Sequence, residues 1–556
     1  MSGSRSQHFE SLKWKSPDWI MSRFLWLVPA LLYGISASPS PGWVDATLIA
    51  HNTDSLVLSS WVNSHNLFHL LGYLWSRIFG FLDLHYSLTL LAGLFGALTV
   101  QLVYVLSRRL GASRTAALLA SAGLTLSHSL WWHSAMLEVY TLNAFLIVLM
   151  LLLVQHFLQN PSRRRLLAAA AVFGLGCSNH VLVGLYLSAW IAFFVALARS
   201  ERYREYARPS VLLIWLASSV AGGGLYAAVV VRDVFGLWLT GGADGLIAAL
   251  HQVLDGATGG GFREYMFPSL PPAQARFWRS NYLILLVANL PSVLLPAGFI
   301  GLWVLVRQHR SAFAWFFLVG MLAQIVWSAN YWIWDMYAFA MPVYVMWSIA
   351  AALGIDRVLA RLSRGTGDRA RTVNGPGIAG SVVAGAFSLL LAPLLYFMLP
   401  LMYERGGAVT AYFNNYEEIE QVEDTWNAVT YISRPWKTGY TAAREHAEAV
   451  LETLPPDAVY VTDDSRDDFL LRLYFKDLLH ERPDVDYLPV FSPFFSRGRA
   501  VSVANRVQRE LRLGRRVFVT SNEEPHDMWI SMGDFELSAI TLAGGGTGTI
   551  YRVRID

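Results

Sequence analysis

Cysteine is almost missing from this 556-residue chain. Cys177 is the only one, so an intrachain disulfide and a cysteine-based metal cluster are both excluded. Charge is scarce as well: 15% of residues are charged against 54% that are hydrophobic. A soluble fold of this size needs a far more charged exterior to hide so much apolar surface. A string of soluble domains is therefore excluded, and the chain reads as a polytopic membrane protein. It also lacks a phosphate-binding loop. The "GGGTG" at 544–548 falls between late strand-like segments instead of opening a helix, which marks a hairpin turn. No internal repeat of the kind seen in transporters is evident. His128, His133 and His180 stand without close ligand partners, so spacing gives no dedicated metal cluster. The polar first nineteen residues followed by an apolar run read as a cytoplasmic leader and a retained first span, not a cleaved signal.

Long apolar runs dominate what is present. Crossing a hydrocarbon layer takes about 20 residues. Runs of that order lie at 20–37, 86–107, 113–131, 138–158, 164–179, 180–199, 210–231, 281–306, 311–330, 337–356 and 377–402. They predict about eleven transmembrane helices. Charge placement supports the count. With the N-terminus inside, the inner segments collect Arg108, Arg109 and Arg114, then Arg163–Arg165, then Arg357, Arg361 and Arg364, whereas the short outer turns near 131–137 and 331–336 carry neither Lys nor Arg. That is the positive-inside bias. An odd number of spans sends everything after residue 403 outside. We therefore expect a membrane domain over 1–402 with large outer loops at 38–85 and 232–280, and an extracytoplasmic domain over 403–556. The glycines of the second loop suggest mobility, with a short helix inside it. In the last domain, helical stretches such as "AAREHAEAVLETL" alternate with short β-branched runs such as "DAVYVT" and "RRVFVTS". This predicts a small, mostly parallel α/β sheet closed by a hairpin. The expected location is the bacterial inner membrane, with the C-terminus in the periplasm.

This topology gathers the unusual polar groups on one side. Asp45 and Asp54 lie in the first outer loop. His133 and Glu138 stand at the outer start of a span, Asn179 and His180 in an outer turn, Arg232 and Arg263 in the second loop, and Asp335 after "NYWIW". Ionisable groups at membrane depth cost about 2.5–3.5 kcal/mol each on insertion scales, so they tend to be paired or functional. Their common side predicts an outward cavity with carboxylates, histidines and one or two arginines. Each has a plainer alternative: Glu138 and Asp335 as helix caps, Asn179–His180 as a tight turn, and the tryptophan clusters as interface anchors.

At these residues the chain resembles the DUF2723-type membrane proteins, a family that includes the transmembrane O-mannosyltransferase of plexin-type domains. That family is in turn similar to the GT-C class of polyprenyl-phosphate-sugar-dependent glycosyltransferases. The likeness is carried by "WWHSAMLEVYTLNAFL", "GLGCSNH", "ATGGGFREYMF" and "NYWIWDMYAFAMPVYVMWSIAAALG". The first loop departs from the family. Asp54-Ser55 is followed by Leu56-Val57 instead of Gly-Glu, and "NSHNLFHLLG" replaces the proline-rich piece. The first-loop acid is thus either Asp54 or Asp45.

The resemblance implies a GT-C-like helical membrane fold and sugar transfer from a polyprenyl-phosphate donor to a hydroxyl of a protein or glycan at the outer face. It implies membrane lipid and the lipid-linked sugar as partners and no nucleic acid, and leaves a divalent metal open. Under it, Asp54 (then Asp45) is the base that takes the acceptor proton. Arg263 and His180, with His133, Asn179 and Arg232 nearby, meet the donor phosphate. Glu138 orients the acceptor or the loop, and Asp335 holds sugar hydroxyls. A transporter or flippase of lipid-linked or small polar substrates, and a non-catalytic envelope scaffold, are the alternatives.

Overall fold

A computed structural model describes residues 17–556 apart from 44, 62–63, 258–262, 264, 270, 309–311, 334–335, 365–375, 414–427, 463–466, 491–496, 521–529, 531–534, 544–548 and 556. Most of the chain is helical. Among the described residues six helices are long and apolar enough to cross a membrane, seven if one bent pair counts as a single span, and three shorter apolar helices accompany them. Their outward faces remain apolar. Val28, Leu31 and Ile35, at helical spacing, are all about two-thirds exposed, as expected of a stripe that meets lipid.

The expected spans and loops differ from the observed helices at several places, of which three bear on the path of the chain. The run at 113–131 divides into Arg114–Thr125 and His128–Ala135. The run at 281–306 divides into two helices that meet at 100°, with Pro291 in the break, where it has no amide proton to give to a continuing helix. The second outer loop is largely helix: Gly224–Ala257 continues through it, with a kink at Gly242, whose φ is +58°. Glycine alone adopts that backbone without strain, so the glycines mark a bend and not a loop.

Close approach holds the bundle's centre. Leu294–Gln308 lies against Met341–Arg364. A Cβ on Gly301 would stand 1.6 Å from the Ala350 carbonyl oxygen, and one on Gly354 would stand 1.9 Å from that of Ala297. Small residues let these backbones touch, the usual means of helix packing where lipid removes the hydrophobic drive. Trp347 closes the same seam by donating its indole N–H to the Leu294 carbonyl at 3.1 Å.

The C-terminal part carries five strands: β1 (Val459–Thr462), β2 (Asp486–Pro489), β3 (Val517–Val519), β4 (Phe535–Thr541) and β5 (Thr549–Ile555). Their order is β2-β1-β3-β5-β4. The first three are parallel and β4–β5 is an antiparallel closing hairpin. The "GGGTG" turn and Asp463–Asp464 lie outside the described residues. One helix of this part, Asp468–Leu478, is wound wide, with i→i+5 bonding; Leu479 N–H donates to the Tyr474 carbonyl at its end.

This part is joined to the membrane helices through the first loop. That loop contains two helices, Asp45–Asp54 and Asn66–Ile78. Ala46, Ile49 and Ala50 of the first share an apolar core with Leu470, Leu471, Tyr474 and Phe475 of the wide helix. Polar bonds reinforce the join. The Trp43 indole donates to the Tyr440 hydroxyl at 2.7 Å, and the Ser40 hydroxyl to the Tyr440 carbonyl at 2.9 Å. Asp467, 2% exposed, accepts from the Tyr460 hydroxyl at 2.8 Å and pairs with His446 Nε2 at 2.9 Å.

Candidate functional site

Helix Asp45–Asp54 decides which acid faces what. Asp45, Leu48, Ile49 and Asn52 all line one cavity, at spacings of three, four and seven that share one helical face. Asp54 is nine residues from Asp45, which is two and a half turns and about 13 Å along the axis. It therefore points the opposite way and pairs with Arg77 at 3.3 Å on an exposed surface. Of the two first-loop acids, the structure brings only Asp45 to the cavity.

The cavity has a free volume of about 130 Å³. Its polar groups are Asp45, Asn52, His65, His69, Glu138 and His180, and Tyr140, Trp327, Tyr331 and Phe339 supply an aromatic wall. Asp45 is exposed to the cavity, yet protein encloses it on the other sides. That enclosure raises its carboxyl above the usual range, because it disfavours the charged form.

Glu138 stands one residue before the cap position of the helix that follows it. Val139 holds the cap position of Tyr140–Gln159, and that end has no side-chain cap. Glu138 is half-buried and lines the cavity.

Asn179 ends helix Arg163–Asn179 and ties three segments together. Its side-chain amide donates to the Val139 carbonyl at 3.4 Å, and its own carbonyl accepts from His65 Nδ1 at 3.0 Å. His180 follows with extended backbone, φ −154° and ψ 130°, and its Nδ1 accepts the Leu182 N–H at 3.2 Å. The His65 and His180 rings lie 5.1 Å apart. His69, one turn after His65, contacts the Thr53 hydroxyl at 2.9 Å through Nδ1. Burial lowers His65 to about 4 and His69 to about 3.

Other expected site residues lie elsewhere. His133 sits behind the wall, bonded to the Ser129 carbonyl at 2.6 Å, with its ring 5.3 Å from Tyr140. Arg232 pairs with Asp233 at 2.7 Å and donates to the Leu58 carbonyl. Arg263 pairs with Asp255 at 2.8 Å, both more than half exposed. It stands three residues before Met266, which lines the cavity and bridges to Tyr331. Asp335 lies outside the described residues, although Ile333 and Phe339 on either side of it line the cavity.

Sequence reasoning missed His65 and His69. The available signal was two histidines four residues apart in "HNLFH", which share a face once the segment is helical. Among the described residues no group of three or more His, Cys, Asp or Glu is placed to hold a metal ion.

The architecture is shared with a solved structure. ArnT from Cupriavidus metallidurans bound to undecaprenyl phosphate superposes with a TM-score of 0.56 at 14% identity, over 95% of this chain and 97% of that one. Its apo state gives 0.52 at the same identity and coverage. The chain therefore shares the fold of that protein. Residues 64–204 match the family model of the protein O-mannosyl-transferase TMEM260 N-terminal domain. Mouse protein O-mannosyl-transferase TMEM260 is 33% identical over 135 residues, 23% of this chain. The match spans 19% of that relative's length. The matched stretch contains His65, His69, Glu138, Tyr140 and His180 of the cavity.

Proposed function

We propose that the chain is a membrane glycosyltransferase that moves a sugar from a polyprenyl-phosphate donor to a hydroxyl of a protein or glycan. One observation carries the reading. The stretch matching the O-mannosyltransferase family builds about half of a cavity whose remaining acid, Asp45, is held by the adjoining loop helix. Mannose is the sugar that the relative's name suggests.

In this reading Asp45 is the base. The acceptor oxygen bonds to the anomeric carbon, the bond from that carbon to the phosphate oxygen breaks, and polyprenyl phosphate leaves with the electron pair. The acceptor proton passes to the Asp45 carboxylate. A carboxyl whose value is raised by enclosure is a stronger proton acceptor than a solvated one. Glu138 orients the acceptor. Arg263, three residues from the cavity-lining Met266, is the candidate to bring positive charge to the leaving phosphate. The aromatic wall receives the sugar or the first isoprene units. Asp335 remains the candidate for further sugar hydroxyls, and the reaction belongs on the extracytoplasmic side.

The test is release of polyprenyl phosphate from labelled polyprenyl-phosphate mannose by the purified chain in detergent, with transfer of label to a hydroxyl acceptor. Movement of intact donor between liposome leaflets without cleavage would replace this reading with transport.

A further inference from the structure

His65 and His180 meet the cavity with opposite hydrogen-bonding character, and backbone atoms fix that difference. The Asn179 carbonyl only accepts, so His65 Nδ1, 3.0 Å away, must carry the proton. In the neutral ring the lone pair is then on Nε2. The Leu182 N–H only donates, so His180 Nδ1, 3.2 Å away, must carry the lone pair and Nε2 the proton. Both rings line the cavity with centroids 5.1 Å apart.

We infer that His65 and His180 form a hydroxyl-reading pair in which one sugar hydroxyl donates to His65 Nε2 and accepts from His180 Nε2–H. A hydroxyl both donates and accepts, so it satisfies both edges. An ionised phosphate oxygen accepts only and would face the His65 lone pair, and an ammonium donates only and would face the His180 proton. Burial and the nearness of the two rings favour the neutral forms on which this complementarity depends: His65 is lowered to about 4 and His180 well below its ordinary value. Around His180 the rings of Tyr140 and Phe339 stand at 5.5 and 6.2 Å. They offer apolar faces to the C–H side of a pyranose, as sites with a few placed polar groups in an aromatic lining do.

The inference rests on the glycosyltransferase reading but assigns this pair to a hydroxyl and not to the donor phosphate. The experiment compares displacement of labelled polyprenyl phosphate from the full chain by unlabelled polyprenyl phosphate and by polyprenyl-phosphate mannose. His65→Phe and His180→Phe are each expected to weaken the mannose-bearing lipid about tenfold while leaving the bare lipid unchanged, as loss of a partner for a buried polar group does. His65→Gln and His180→Gln, which restore an acceptor or a donor near Nε2, recover part of the loss. A fold defect would weaken both lipids and would not be rescued in this way. If the Phe variants bind both lipids as the wild type does, methyl α-mannopyranoside is used as acceptor: a tenfold rise in its KM keeps the hydroxyl chemistry and moves it to the acceptor, and no rise overturns the proposal. An equal loss for both lipids in variants, Phe or Gln, whose melting temperature in detergent matches the wild type also overturns it, because the pair then holds phosphate; a fold defect lowers the melting temperature as well. A wild-type chain that binds neither lipid would refute the glycosyltransferase reading itself.

Discussion

Asp45 and Asp54 occupy the two ends and the two opposite faces of one ten-residue helix, so only Asp45 looks into the cavity while Asp54 pairs with Arg77 at the surface. Their sequence context is alike, and helical phase alone separates them. Asp45→Asn is expected to lower the rate of polyprenyl phosphate release by about 10²-fold or more, the usual worth of a positioned base. Asp54→Asn removes an exposed pair worth about 0–1 kcal/mol and is expected to leave turnover within about threefold of wild type, since Asp54 touches nothing in the cavity. Equal losses in the two variants would refute the assignment.

Arg263 tests where the donor phosphate sits. Its partner Asp255 is more than half exposed, so Arg263→Ala should shift the melting temperature by no more than an ordinary surface change. If this cation meets the phosphate, the variant's affinity for polyprenyl phosphate falls about tenfold, because a charge-assisted bond is lost. An unchanged affinity places the phosphate elsewhere.

Where sequence reading succeeded and failed here follows from range. The apolar runs are a one-dimensional signal that needs no partner, so the helical membrane character and the strand–helix alternation of the C-terminal part were legible, whereas eleven expected spans stand against six or seven span-length helices among the described residues. Glu138 and His180, which line the cavity, also stood out, because polar residues at membrane depth are rare. What was not legible depended on phase or on distant contacts. "DATLIAHNTD" reads as a polar loop until Ala46 and Ala50 are seen against Leu471 and Tyr474, more than 400 residues away in the chain. Only then does the helical face that selects Asp45 exist. The glycines before 245 resemble a loop because composition does not distinguish a kinked helix from an irregular segment. His65 acquires its orientation from a carbonyl 114 residues away.

Stability should depend on pH through the cavity histidines. His65 and His69 bind protons less readily folded than unfolded, with native values of about 4 and about 3 against an ordinary 6.5. The unfolded chain therefore takes up the extra protons below 6.5, and their contribution is complete above that pH and lost as pH falls toward 4. Each contributes about 1.4 kcal/mol per pH unit within its window. Asp45, with its raised carboxyl, works in the other direction: its protonation favours the fold as pH falls through its native value. The melting temperature in detergent should drop between pH 7 and pH 5, and His69→Gln should flatten that slope. Parallel slopes for variant and wild type would show that His69 is free to ionise in the fold.

The seam between Leu294–Gln308 and Met341–Arg364 gives a prediction that does not depend on chemistry at the cavity. A methyl group on Gly301 would meet the Ala350 carbonyl oxygen at 1.6 Å. That oxygen belongs to backbone within a helix and has no rotamer to change, so the helices must separate along their length. The Trp347–Leu294 bond lies in the same seam and would lengthen with them. Gly301→Ala should therefore destabilise the protein by about 3 kcal/mol, at the upper end for overpacking, although alanine is the better helix former by about 1 kcal/mol. Gly224→Ala is the matched control, because a Cβ there meets nothing within 4 Å and its melting temperature should be unchanged or slightly higher. Thermal unfolding of the two variants in the same detergent compares them directly. If Gly301→Ala melts with Gly224→Ala, the two backbones do not touch as described.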